Sequence, residues 1–477
     1  MKRRSFFKNA SLTVAGTGLF GSSSLVAPGH ERNDHFSGRY AKNIIFLISD
    51  GMSTGTLAMA DLYAQQILGR KSNWMKLYQE QKLGRALMDT ASASSIVTDS
   101  AAASSAFGGG IRVKNGVLNI GADGAFHLPV WQKFKKAGKK AGCVTTVTIT
   151  HATPAGFCVN AAKRNAEPDI AATYAEIGLD ILMGGGDEFF NPDKRADKKD
   201  LYKVYEQKGY QVIKDGPGLR NIQKNKPLLG VFGTGALPYS IDRINNAGLQ
   251  NTPTLAEMTT VAIDHLKDHT NGFVLQVEAG KVDWAAHAND IAGLIHDQLA
   301  FDEAIKVAMA FAEKDGNTLV IITTDHGNAN PGTIYDADAT KKFNSISQYR
   351  YTNEYLLNGI KPDFNLQQTK DWVYEVNKIR LADEEARHLL SFYKGIEKEE
   401  GLYNYKKLPF KFYSEIQKKH NAVGWISMDH SGDYVELAMY GPGSEWLKPF
   451  VKNTDLHYLM LEAAGMEVKQ SAHVIHT

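Results

Sequence analysis

The sequence predicts an α/β protein with a mostly parallel central sheet sandwiched by helices, and three observations carry that prediction. Short continuous apolar runs such as 43–49 alternate with helix-patterned stretches, as buried parallel strands and their covering helices do. Three of these runs lead straight into an acidic residue: Asp50 follows Ser49, Glu278 follows Val277 and Asp325 follows Thr324. In open α/β sheets the carboxyl edge is where sites form. The 477 residues, 43% hydrophobic and 22% charged, suffice for one large domain with a big core, and no internal repeat interrupts the alternation.

Residues 1–29 precede this pattern and read as an export signal. Lys2, Arg3, Arg4 and Lys8 form a basic start, and a mildly apolar Gly/Ser-rich run follows from Ala10 to Val26. Arg3-Arg4-Ser5-Phe6-Phe7-Lys8 has the form of a twin-arginine motif, so the expected destination is periplasmic or secreted. Cleavage near Ala27 removes four basic and no acidic residues, which leaves a formal charge of −2 in place of +2. A nearly neutral chain offers no phosphate-tracking surface, so no dedicated nucleic-acid partner is expected. After the leader no apolar run reaches the roughly 18 residues of a membrane span.

Residues 30–477 read as one domain carrying an insertion. Strand 43–49 delivers Asp50-Gly51, helix 56–68 and strand 83–88 follow, and a Ser/Ala-rich helix starts at Ser100, where Thr98 or Asp99 can cap the free N–H groups. Residues 111–120 alternate around Asn115-Gly116, a hairpin signal. Helix 128–137 leads to strand 142–150 and then to His151-Ala-Thr-Pro-Ala155, a loop turning into a helix that carries Lys163-Arg164 about three turns along. Further helices near Ile170 and Leu201 and a strand at 181–183 continue the alternation. Strand 273–277 delivers Glu278, helix 291–312 and strand 318–324 follow, and the last strand and helix are 434–440 and 455–464. Residues 330–423 are Tyr-, Lys- and Glu-rich and helical, without apolar strands, and are expected to be an insertion. The two cysteines, Cys143 and Cys158, are too few for a disulfide framework. With a strand of roughly 20 Å between them, two buried thiols are expected.

The chemistry lies in a scattered set of carboxylates and histidines. Asp283 and His287 stand four apart, which on a helical turn places both on one face. Asp325-His326 ends one strand, and His430 precedes another. Carboxylates gathered at one edge repel one another unless cations lie between them. A mixture of His with Asp and Glu suits zinc at the His-bearing positions and magnesium at an all-oxygen one.

The segments Asn43-Ile-Ile-Phe-Leu-Ile-Ser-Asp-Gly-Met52, Val97-Thr-Asp-Ser-Ala-Ala102, His151-Ala-Thr-Pro-Ala155, Val277-Glu-Ala-Gly-Lys-Val-Asp283, Thr324-Asp-His-Gly327 and Asp429-His430 resemble, in order, those of bacterial and animal alkaline phosphatases. The resemblance runs from Asn43 through Gly441 and omits only 330–423. It implies a zinc ion on Asp283, His287 and His430, a second on Asp50, Asp325 and His326, and a magnesium ion on Asp50, Thr153 and Glu278. Ser100 becomes the nucleophile of a phosphoserine mechanism on phosphate monoesters, Arg164 the phosphate clamp, and Asp99 the residue that orients Arg164. A homodimer is implied, with 330–423 as a cap or crown.

Two positions depart from the best-known members. Trp284 stands where lysine or histidine is frequent, and His151 replaces an aspartate of some bacterial enzymes. Together they define a His/Trp subset in which both residues are expected near the substrate. A related phosphodiesterase or sulfatase is the alternative enzyme, and an exported phosphate-binding protein without catalysis is the alternative outside enzymes. Arg164 favours a terminal phosphate dianion, the absence of Pro and Arg shortly after Ser100 disfavours a sulfatase, and the complete ligand set disfavours a lapsed enzyme.

Overall fold

A computed structural model describes residues 40–399 and 402–467; the expected leader lies outside the described residues. Ten strands form one sheet: β1 Asn43–Ser49, β2 Gly84–Asp89, β3 Lys140–Thr148, β4 Ile181–Gly185, β5 Gln211–Ile213, β6 Leu228–Val231, β7 Phe273–Ala279, β8 Thr318–Thr323, β9 Val435–Tyr440 and β10 Phe450–Lys452. Their spatial order is β10-β2-β9-β8-β1-β7-β3-β4-β6-β5. Only β9 runs against its neighbours, pairing antiparallel with β2 and β8. That reversal matters for the site, because the segment entering β9, with His430, arrives at the edge where the parallel strands end.

β1 shows why a continuous apolar run makes a central strand. All seven residues are buried, and alternate side chains face opposite sides. Ile45 and Leu47 join one hydrophobic core, whereas Ile44, Phe46 and Ile48 join the other. The helices that matter here are α1 Thr54–Ile67, α2 Ser100–Gly109, α3 Ala152–Cys158, α4 Ser240–Asn245, α5 Leu255–Leu266, α6 Lys281–His287 and α7 Ile291–Asp315. Phe46 packs 5.2 Å from both Phe107 of α2 and Phe157 of α3, which fixes these two helices on the sheet. The small residues of α2 serve that packing: a Cβ on Gly108 would lie 1.9 Å from the Gly156 carbonyl oxygen.

Between β8 and β9 the chain adds no strand to the main sheet. It leaves at Gly332–Thr333 and returns at Val423–Gly424, which pair antiparallel. The intervening helices Ala339–Asn344, Asn353–Gly359, Leu366–Asn377, Asp383–Ser391 and Phe410–Asn421 contribute Phe343, Leu356, Val373 and Tyr413 to the same core as β1 and α7. Among the described residues no helix is long and apolar enough to cross a membrane.

Three sequence expectations change. Residues 111–120 are not a hairpin: Leu118 bridges Ala161 and Ile120 bridges Phe126. Asn115-Gly116 does turn, but Gly116 N and Asn115 Oδ1 bond to Asp99, Asn115 Nδ2 to the Val97 carbonyl, and the Gly116 carbonyl accepts from Arg164 N. Arg164 does not ride on a helix, because α3 stops at Cys158 and the next helix, Glu167–Ile177, starts only after it, leaving Arg164 in the loop between. Cys143 and Cys158 are free and buried, as expected. Their sulfurs nonetheless lie 3.7 Å apart, since α3 doubles back beside β3 and the length of the strand does not separate them.

Candidate active site

The carboxyl ends of β8, β1, β7 and β3 stand side by side in the sheet, and each hands a polar side chain to one cleft. β1 delivers Asp50, β7 Glu278, β8 Asp325 and His326, the turn after β3 His151, and the first turn of α3 Thr153. Asp50, Glu278, Asp325 and His326 have no exposed surface. Four ionisable groups in so dry a place need compensation.

Asp283, His287 and His430 form the first cluster. Asp283 and His287 share one face of α6, as their spacing requires, with His287 Nε2 3.4 Å from Asp283 Oδ2 and His430 Nε2 3.5 Å from Oδ1. Each histidine donates its other nitrogen to a backbone carbonyl: His287 Nδ1 to Met428 at 2.6 Å, His430 Nδ1 to Thr98 at 2.9 Å. That leaves both Nε2 lone pairs aimed inward, the tautomer a metal ligand needs. Gly51 makes room for Asp283: its φ is +67°, and a Cβ there would lie 2.4 Å from Asp283 Oδ1.

Asp50, Asp325 and His326 form the second cluster. His326 Nε2 lies 3.5 Å from Asp50 Oδ1 and 3.4 Å from Asp325 Oδ2. Its ring stacks on that of His430 with centroids 3.7 Å apart, so the two clusters abut. Ser100 Oγ is 3.2 Å from His326 Nε2. Ser100 is the first residue of α2, whose N-cap is Asp99 and not Thr98, the Asp99 carboxylate accepting from Ala102 N at 2.9 Å.

Asp50, His151 and Glu278 form the third. Thr153 Oγ1 donates to Asp50 Oδ2 at 3.3 Å. His151 Nδ1 is 3.5 Å from Glu278 Oε1, and its Nε2 is 3.1 Å from Arg164 Nη2. Arg164 Nη1 in turn contacts Asp99 Oδ2 at 3.1 Å. The structure thus gathers every residue singled out in the sequence except Trp284, whose ring stands over the Lys281 ammonium at 4.6 Å.

The electrostatics show what the clusters lack. Burial, then repulsion from Asp325, Asp283 and Glu278, pushes the Asp50 carboxyl well up from its ordinary value. Burial and Asp283 push Asp325 up to about 7. Burial also acts on Asp283 in that direction, but His287, His430 and His326 outweigh it and hold its carboxylate low. Asp50 Oδ1, Asp325 Oδ2, Glu278 Oε1 and His151 Nδ1 are buried without a hydrogen-bond partner. Orphaned oxygens converging from three sides are a cradle for cations.

Sequence reasoning missed the supports. Asn328 Nδ2 donates to Asp283 Oδ1 at 2.7 Å and Thr145 Oγ1 to Glu278 Oε2 at 2.5 Å. Thr145 lies inside β3 and Asn328 in the short strand Gly327–Asn328 beyond β8, so neither position carried a signal of its own.

An alkaline phosphatase family model matches residues 41–466. Alkaline phosphatase 4 of Bacillus subtilis is 30% identical over 473 residues, covering 95% of this chain and 97% of that protein. The alkaline phosphatase of Escherichia coli is 27% identical over 477 residues, covering 91% and 88%. The crystal structure of Thermus thermophilus alkaline phosphatase matches with a TM-score of 0.83 at 34% identity, covering 93% of this chain and 96% of that one.

Proposed function

The chain belongs to the alkaline phosphatase family, and from that premise we propose that it is an exported phosphomonoesterase working through a phosphoserine on Ser100, with two zinc ions and one magnesium ion. The observation that carries this reading is the place of Ser100 Oγ, 3.2 Å from His326 Nε2 where the two His-bearing clusters meet. Asp283, His287 and His430 would hold one zinc, and Asp50, Asp325 and His326 the other. Asp50, Thr153 and Glu278 would hold magnesium. Bound cations supply charge stabilisation for the attacking and leaving oxygens of an in-line displacement.

The residues divide the remaining work. Ser100 Oγ attacks phosphorus as the ester P–O bond breaks, the serine proton ends on the departing alcohol, and water then hydrolyses the phosphoserine to inorganic phosphate and the free serine hydroxyl. Arg164 offers two N–H groups of its fork to the non-bridging oxygens, and its tie to Asp99 keeps it beside the serine helix. His151 links Arg164 to the third cluster. Because Arg164 can only donate, the contact at Nε2 puts the His151 proton on Nδ1. A protonated Nδ1 cannot be a ligand, so the third set is all oxygen, the chemistry magnesium prefers. Trp284 packs on the Lys281 ammonium, and with His151 it is the residue by which the chain is assigned to a His/Trp subset.

The twin-arginine leader supports export to the periplasm or beyond, and family membership supports a homodimer capped by residues 330–423. The test is to assay wild type and Ser100→Ala against monoester, diester and sulfate substrates while counting bound metals. We expect monoester turnover to vanish in Ser100→Ala with about three metals retained per chain. Unchanged monoester turnover in the variant removes Ser100 as nucleophile, and preferred turnover of the diester or sulfate replaces the monoesterase reading.

A further inference from the structure

A cavity of about 480 Å³ lies between α1, α4, α5 and α7, outside the three metal clusters. That volume is within the roughly 300–1,000 Å³ of small-molecule sites. Leu68, Leu237, Pro253, Leu255 and Leu299 make its walls mainly apolar.

The polar groups in it are few and largely unspent. Tyr63 and His296 both line the cavity, their rings 5.6 Å apart and edge-on. Among the described residues neither makes a hydrogen bond, and neither is sealed from the cavity as an orphaned buried atom would be. Burial holds the His296 ring down to about 4, so it is a neutral donor and acceptor near pH 7. Asp297, at the cavity wall, is already bonded to Ser240 N and Oγ, each at 3.1 Å.

The charges at the rim are also spoken for. Arg70 pairs with Glu303 at 2.7 Å, and Arg243 donates to the carbonyls of Thr252 and Gln250. Of these two guanidinium groups only Arg70 has a carboxylate partner, and Arg243 gives its donors to backbone carbonyls, so it is the apolar walls and not the rim charges that argue for a mainly apolar guest. An apolar guest with one polar head would bury the walls' surface and satisfy the phenol and imidazole together.

We propose that this cavity is a binding site for a neutral, mainly apolar small molecule that seats a hydroxyl head between Tyr63 and His296. The cavity floor includes Thr146, whose Oγ1 accepts from the Lys281 N–H at the start of α6 at 3.2 Å. The site is therefore one hydrogen bond from the helix that carries Asp283 and His287.

The experiment uses the full-length, metal-loaded protein and two probes, 4-butylphenol and butylbenzene, titrated by calorimetry. We expect saturable 1:1 binding of the phenol, roughly tenfold tighter than the hydrocarbon. Leu255→Trp should fill the cavity and abolish binding of both. A double variant, Tyr63→Phe with His296→Leu, keeps the volume and should erase only the preference for the phenol. No saturable binding to wild type overturns the proposal, as does binding that survives Leu255→Trp in a variant of unchanged circular dichroism. An equal affinity for both probes overturns the assigned head-group site.

Discussion

Asp99 and Arg164 are joined by a 3.1 Å ion pair, and the same Asp99 carboxylate caps the helix that begins with Ser100. One oxygen accepts from Ala102 N. The other accepts from Arg164 and from Gly116 N at 2.9 Å. Position of the serine and position of the arginine are thus set by one side chain.

Two substitutions separate those roles. Asp99→Asn keeps a good N-cap but loses the charge that holds Arg164. It should leave stability and metal content near wild type and weaken inhibition by inorganic phosphate roughly tenfold or more. Asp99→Ala should add a stability loss of about 1 kcal/mol. Phosphate inhibition constants and denaturant midpoints of the two variants check this; unchanged phosphate affinity in both would show that Arg164 does not need its partner.

Asn328 holds Asp283 by its amide, at Oδ1 and at the backbone carbonyl. Removing such an outer partner typically costs 10–100-fold in metal affinity. Asn328→Ala should therefore release one metal ion per chain, from the Asp283, His287 and His430 cluster, at chelator concentrations that leave wild type loaded, with the other clusters intact. Competition against a chromogenic chelator measures it, and identical release curves would refute the role.

How much of this was legible beforehand follows from what kind of signal each residue leaves. Asp50, Glu278 and Asp325 were readable because an apolar strand announces its own carboxyl end, and Asp283 with His287 because helical spacing is arithmetic. His430 was readable only as a member of a set, since what brings it in is the reversal of β9, which no local pattern encodes. Asn328 and Thr145 stayed hidden because an amide or a hydroxyl near a strand end looks like any other polar residue until its partner is placed. The turn at Asn115-Gly116 misled for the opposite reason. Its local signal was sound, but Asp99 takes the Gly116 N–H and Asn115 Oδ1 takes the Asp99 N–H at 3.4 Å, so the flanks never pair.

Gly108 gives a prediction about packing. With a Cβ placed 1.9 Å from the Gly156 oxygen, Gly108→Ala must push α2 away from α3. Overpacking of this kind costs about 1–3 kcal/mol, and because α2 begins at Ser100 the turnover should fall as well. Thermal unfolding and kcat of the variant test both. A variant as stable as wild type would mean that the two helices can separate freely.

The buried acids beyond the metal clusters predict how the apoprotein responds to pH. Burial, opposed by the Ser240 N–H and by Lys281, holds Asp297 up at about 7. Burial, opposed by the amides of Gly293 and Asn353, does the same for Asp290. An unfolded carboxyl titrates near ~4, so between about pH 4 and 7 the folded chain binds protons that the unfolded chain has lost. This contribution to stability is full below the unfolded value, declines as pH rises through that window and is gone above the folded value. Each acid contributes a slope of at most about 1.4 kcal/mol per pH unit. Asp297→Asn keeps an acceptor for Ser240 and cannot ionise, so in the presence of chelator its urea midpoint should fall less steeply from pH 4.5 to 7 than that of wild type. Parallel curves for the two proteins would show that Asp297 is already ionised in the folded state at the lower pH.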